Sequence, residues 1–91
     1  MTDRVAEASF VGLAQRLARR LEESAQQRGT PTAGGLTVGA GVTLDTLAAM
    51  LGVSPLRVRL LLHTWEAEGL VRVTDQGDVI ILRQEELLRL A

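Results

Sequence analysis

Residues 43–71, TLDTLAAMLGVSPLRVRLLLHTWEAEGLV, decide how this chain is read. Thr43 is a good helix N-cap, because its hydroxyl accepts from an orphan amide of the first turn. Asp45 in that turn suits the positive end of the helix dipole. Leu44, Leu47, Ala48 and Leu51 recur at helical spacing, which predicts a helix over 44–51. Gly52 ends it with a left-handed cap. After the turn Gly52-Val53-Ser54, Ser54 is the next N-cap, and Pro55 takes the first helical position, where its missing N–H costs nothing. The second helix is predicted over 55–68, stopped by Gly69. Helix, short glycine-containing turn and helix make a helix-turn-helix.

Downstream, Leu70–Thr74 and Val79–Leu82 are short and β-branched, and they flank the turn Asp75-Gln-Gly-Asp78. They predict a β-hairpin over 70–82, with Val71, Val73, Val79 and Ile81 facing inward. Leu87, Leu88 and Leu90 mark a short closing helix over 84–90. Upstream, Phe10, Leu13, Ala14, Leu17 and Leu21 form one face of an amphipathic helix over 3–28, with Gly29 as cap and Pro31 as stop. A second strip on that helix, Val11, Ala18 and Ala25, is the candidate surface for a second copy of the chain. Arg16, Arg19 and Arg20 are expected on a solvated face, paired with Glu22 and Glu23. Between the two regions, 29–42 holds five glycines in fourteen residues and reads as a connector, with Leu36-Thr37-Val38 as a short edge strand. A phosphate-cradling loop is the sharper reading of this segment, but it lacks the Gly-Lys-Ser/Thr ending. The expectation is one domain over 1–91. It is mainly α with a small β-hairpin: a three-helix core and wing, a long N-terminal helix and a short C-terminal one.

Composition narrows the function. The chain has 91 residues, 46% apolar, enough for a core. A domain of this size gains stability from a partner subunit. There is no Cys, Tyr or Lys and a single His, so the inventory for nucleophilic catalysis or a multi-histidine or thiolate metal site is missing. Adjacent carboxylates such as Glu22-Glu23 and Glu85-Glu86 do not face each other on a helix. No enzymatic activity, metal or cofactor is expected. No apolar run approaches membrane-spanning length, and the N-terminus does not read as a signal peptide, so the expected location is cytoplasmic. Two aromatic residues, Phe10 and Trp65, cannot build a base-stacking platform. Net charge is −1, so any polyanion must be bound by local charge.

The residues from Thr43 to Leu82 resemble the DNA-binding domain of the Crp/Fnr regulators. That family's pattern is a Thr-capped helix with a Leu-Ala core, Gly-x-Ser, a recognition helix, then Leu-Glu-x-x-Gly-Leu-Ile and a wing. Gly52-Val53-Ser54 and Glu66-Ala-Glu-Gly-Leu-Val71 match it, and Arg16–Val38 resembles the domain's first helix and following loop. The likeness runs from about Phe10 onward. It implies a winged helix-turn-helix that binds double-stranded DNA as a homodimer and regulates transcription. The chain departs from the family in two ways. Only nine residues precede Phe10, so the cyclic-nucleotide-binding domain is not expected here, unless the chain is a domain of a longer regulator. The recognition helix of the family reads Ser-Arg-Glu-x-x-x-Arg, whereas here the three reader positions hold Pro55, Leu56 and Leu60.

At about 100° per residue, Val58, Leu61, Leu62 and Trp65 share one side of the second helix, the expected core side. Leu56, Leu60, His63 and Ala67 share the other, with Arg57 and Arg59 on the flanks. No acidic residue lies between Asp45 and Glu66, so the front of this helix is locally positive. The candidate DNA contacts are therefore Thr43, Ser54, Leu56, Arg57, Arg59, Leu60, His63 and, from the wing, Arg72. Ser54, the arginines and the helix N-terminal amides suit phosphates. Leu56 and Leu60 suit thymine methyls alone. Asp75 and Asp78 argue against deep insertion of the wing. Trp65 is expected to be a core anchor and His63 a solvated residue. A second reading stays open, in which Leu56, Leu60 and His63 form a small apolar patch that meets a protein partner.

Overall fold

A computed structural model describes residues 2–39 and 41–91, with side chains described from residue 12 onward except at 40. Four helices and three strands follow in the order α1 (Thr2–Arg28), β1 (Leu36–Thr37), α2 (Leu44–Leu51), α3 (Pro55–Ala67), β2 (Val71–Val73), β3 (Val79–Ile81) and α4 (Gln84–Leu90). The strands form one antiparallel sheet in the order β1-β3-β2. Leu36 and Val71 both pair with Ile81, and Val73 pairs with Val79. The hairpin is thus the wing, and the short upstream strand adds a third edge to it.

The helix-turn-helix forms as its caps dictate. Thr43 Oγ1 accepts from the Thr46 amide at 3.4 Å, and Thr46 Oγ1 accepts in return from the Thr43 amide at 2.6 Å. This reciprocal box satisfies two orphan donors with a second threonine in place of the usual Glu or Gln. At the other end Gly52 adopts φ +70°, and its N–H reaches the carbonyls of Ala48 and Ala49. Val53 N–H also donates to Ala48 O, at 3.1 Å. The left-handed residue turns the chain within three positions, which a residue with a Cβ resists. Ser54 Oγ then accepts from the Arg57 amide at 3.4 Å and opens α3.

Burial converges on one core. Leu13, Leu17 and Leu21 of α1 meet Leu47 and Leu51 of α2, Val58, Leu62 and Trp65 of α3, the inner faces of β2 and β3, and Leu87 of α4. Ala14 packs at its edge. Phe10 and Val11 lie outside the residues whose side chains are described.

Two expectations for α1 are corrected. Ala18 and Ala25 are inside the core, 0% and 3% exposed, so neither offers surface to a second copy. The reason is that α1 is flanked by α2, α4 and β1 together, which covers Ala18 and Ala25 as well as Leu13, Leu17 and Leu21. The polar face also differs. Arg20 pairs with Glu23 at 4.0 Å as expected. Arg16, however, donates to the Leu51 carbonyl at 2.7 Å and caps the C-terminus of α2, where a cation complements the dipole. Glu22 is buried, and its carboxylate accepts from Gln84 Nε2 at 2.9 and 3.3 Å.

The sheet departs from simple alternation at Ile80, which is buried although it points away from Val79 and Ile81. The segment after α1 folds back over that side: Pro31 bridges to Leu36, and Thr32 and Gly35 exchange backbone hydrogen bonds. A β-carbon on Gly35 would run into the Ile81 carbonyl and lie 3.2 Å from Ile80 Cγ2. The connector therefore has a glycine, Gly35, where it lies flat on β3.

Two outcomes follow for stability. Gly35→Ala forces loop and sheet apart and should destabilise by roughly 1–3 kcal/mol, read as a lower urea midpoint. An unchanged midpoint would mean the loop does not lie on β3. Gln84→Ala leaves the buried Glu22 carboxylate without its donor and should cost about 1–3 kcal/mol in the same assay. No loss would show that water replaces the amide freely.

Candidate nucleic-acid interface

α3 is positioned by the side it buries. Val58, Leu62 and Trp65 are at most 3% exposed, and Leu61 packs at the margin of the core. The outward side is fixed as a consequence. Leu56 and Leu60 are 61% and 58% exposed, and His63 and Ala67 are exposed beside them. Large apolar side chains this open are the informative exception on a helix whose other side is fully packed.

Arg57 and Arg59 are exposed on the two flanks, about 100° and 60° around the helix from Leu56. Among the described residues neither makes an ion pair; the pairs are Arg20–Glu23 and Arg83–Glu86. The acidic residue nearest the helix end is occupied elsewhere. Glu66 Oε2 accepts from the Val73 amide of β2 at 3.1 Å, which ties the end of α3 to the wing. The first two turns of α3 thus carry two guanidinium groups without an ion-pair partner among the described residues, and no carboxylate. Thr64, at the edge of the outward stripe, donates its hydroxyl back to the Leu60 carbonyl at 3.0 Å.

Of the eight candidate contacts, Leu56, Arg57, Arg59, Leu60 and His63 share the exposed part of α3, and Ser54 is exposed at its start. Thr43 stands apart at the start of α2, half-buried, with its hydroxyl engaged in the capping box. Arg72 is exposed on β2. It is the register partner of Ile80, so it belongs to the outer side of the sheet. Its guanidinium reaches toward Gly34. Asp75 at the wing tip is exposed and Asp78 half-buried, the latter with its amide on Thr74 Oγ1 at 3.1 Å. Sequence reasoning missed the tie from Glu66 to the wing. The signal for it is the position of Glu66 one residue after the buried Trp65, at the margin of the packed side.

The described residues contain no cluster of His, Cys, Asp or Glu that could hold a metal ion, and no helix long and apolar enough to cross a membrane. Three solved structures share the architecture. The CO-dependent transcription factor CooA from Carboxydothermus hydrogenoformans, in its imidazole-bound form, superposes with a TM-score of 0.77 at 23% identity, over 85% of this chain and 35% of its own. The reduced Fe(II) CO-sensing protein from R. rubrum gives 0.71 at 18%, over 99% of this chain and 41% of its own. Reduced CprK without any ligand gives 0.73 at 17%, over 99% and 46%. At these identities the likeness establishes the winged helix-turn-helix fold, and this chain spans less than half the length of each. No curated protein matches the chain. The family model described as the Crp-like helix-turn-helix domain matches residues 15–90, from within α1 to the last residue of α4, and the chain belongs to that family.

Proposed function

We propose that this chain binds double-stranded DNA as part of a transcriptional regulator, with α3 in the major groove. The observation that carries this reading is the outward side of α3: exposed, free of carboxylates in its first two turns, and flanked by two arginines that make no ion pair among the described residues. A helix of this width fits the major groove, where phosphates line both walls. Arg57 and Arg59 reach one wall each, which fixes the depth and roll of the helix. Ser54 and the amide end of α3 add neutral donors and a favourable dipole at the phosphate nearest the turn. Thr43 stands at the equivalent end of α2, which crosses the backbone. Arg72 contributes a phosphate contact from the wing, held shallow by Asp75 and Asp78. Leu56, Leu60 and His63 face the base edges.

One recognition helix covers few base pairs. Two copies on half-sites about one helical turn apart supply the specificity that a single copy lacks. Sedimentation of the protein with a two-fold symmetric duplex should then show two chains per duplex.

The salt dependence of binding tests the reading. Fluorescence anisotropy with mixed genomic duplexes at low salt should detect binding. Arg57→Ala with Arg59→Ala should weaken it and reduce the slope of log K against log salt by about 2, one unit for each lost phosphate contact. Absence of binding at low salt, or an unchanged slope in the double variant, overturns this reading and returns the Leu56–Leu60 patch to a protein partner.

A further inference from the structure

The centre of the outward stripe has almost no capacity to form hydrogen bonds. Leu56, Leu60 and Ala67 carry no side-chain donor or acceptor, and the Thr64 hydroxyl gives its proton to the Leu60 carbonyl at 3.0 Å. His63 is the one polar side chain in the row. The donors that remain, Arg57 and Arg59, stand on the flanks toward the phosphate walls rather than toward the floor of the groove. A helix seated by those two arginines presses two leucines against base edges.

The floor of the major groove offers one apolar feature to such side chains, the C5-methyl group of thymine; every other distinguishing group there is a hydrogen-bond donor or acceptor. Placing leucine against those polar edges strips them of water without replacement. Placing leucine against a methyl buries apolar surface on both partners. Leu56 and Leu60 are four residues apart, about 6 Å along the helix axis, close to two base steps. The occupant is also selected by charge. The patch is bracketed by two cations, and the first two turns of α3 hold no carboxylate, which complements a polyanion.

Resting on the DNA reading above, we infer that Leu56 and Leu60 make this domain a reader of thymine methyl groups. Its preferred duplexes are distinguished by thymines about two base steps apart, recognised by apolar contact in place of hydrogen bonds. Leu56 and Leu60 are the specificity-determining residues, while Arg57 and Arg59 supply affinity that is blind to sequence.

Uracil isolates this contact, because it pairs as thymine does and lacks only the methyl. Duplexes enriched by the protein from a random-sequence pool are resynthesised with deoxyuridine at the enriched thymines, one position at a time. The wild-type chain should lose about four-fold in affinity for each contacted methyl removed. Leu56→Ala with Leu60→Ala changes exposed positions only and should bind the thymine and uracil duplexes equally well, with the wild-type salt slope. Arg57→Ala should weaken both duplexes by the same factor. Equal affinity of the wild-type chain for the two forms overturns the inference and leaves DNA binding standing. So does a preference for thymine that survives the double leucine variant. Failure to enrich any duplex at low salt overturns both.

Discussion

What this domain shows to solvent along α3 depends on how that helix is locked into the core. Val58, Leu62 and Trp65 are almost fully removed from water, against α2 and the inner side of the sheet. Rotating α3 by even one residue, about 100°, would expose an indole or a branched aliphatic chain and bury Arg57 or Arg59. Both changes are costly, the second most of all, because an unpaired buried charge has no compensation. The ends are fixed as firmly as the side. Ser54 caps the start after the left-handed Gly52, and Glu66 holds the last turn to the Val73 amide. What α3 shows to solvent is therefore set by what it hides.

The elements themselves were legible because their signals are local. The caps Thr43 and Ser54, the stop at Gly52, Pro55 and the β-branched runs around Gly77 place α2, α3 and the wing within a residue of their observed bounds. Apart from the short tie between Glu66 and Val73, the contacts that escaped sequence reasoning have partners far along the chain. Arg16 finds the Leu51 carbonyl 35 residues away, and Gln84 finds Glu22 across 62. Nothing in the spacing around either residue announces such a partner. Ala18 and Ala25 misled for a related reason. Periodicity shows that a helix has a second apolar strip, and the arrangement of α2, α4 and β1 around α1 decides that Ala18 and Ala25 of that strip are internal. Ile80 was hidden by the rule of alternation, since its cover comes from a connector with no secondary structure of its own.

The outward side of α3 was more readable than the core contacts, because it lies on a single helix. One helical wheel of residues 55–68 separates the packed side from the open one, and the structure agrees at each of Val58, Leu62, Trp65, Leu56, Leu60 and His63. The chain totals −1, yet screening limits each charge to a reach of about 8–10 Å. Within that reach the start of α3 presents arginine, and its carboxylates are elsewhere or engaged. Pro55, Leu56 and Leu60 stand where the Crp/Fnr pattern has polar readers. The scaffold of the family is kept, and at those positions the chain offers a proline and two exposed leucines.

The central claim is that the outward side of α3 is the surface that meets DNA. Backbone amide shifts in an NMR titration with a duplex that the protein binds test it most directly. The account predicts that the largest changes fall between Ser54 and His63, with smaller ones at Thr43 and Arg72 and little change at Glu22 and Gln84, where α1 meets α4. Perturbations concentrated on α1 and α4, with α3 unmoved at saturation, would contradict it.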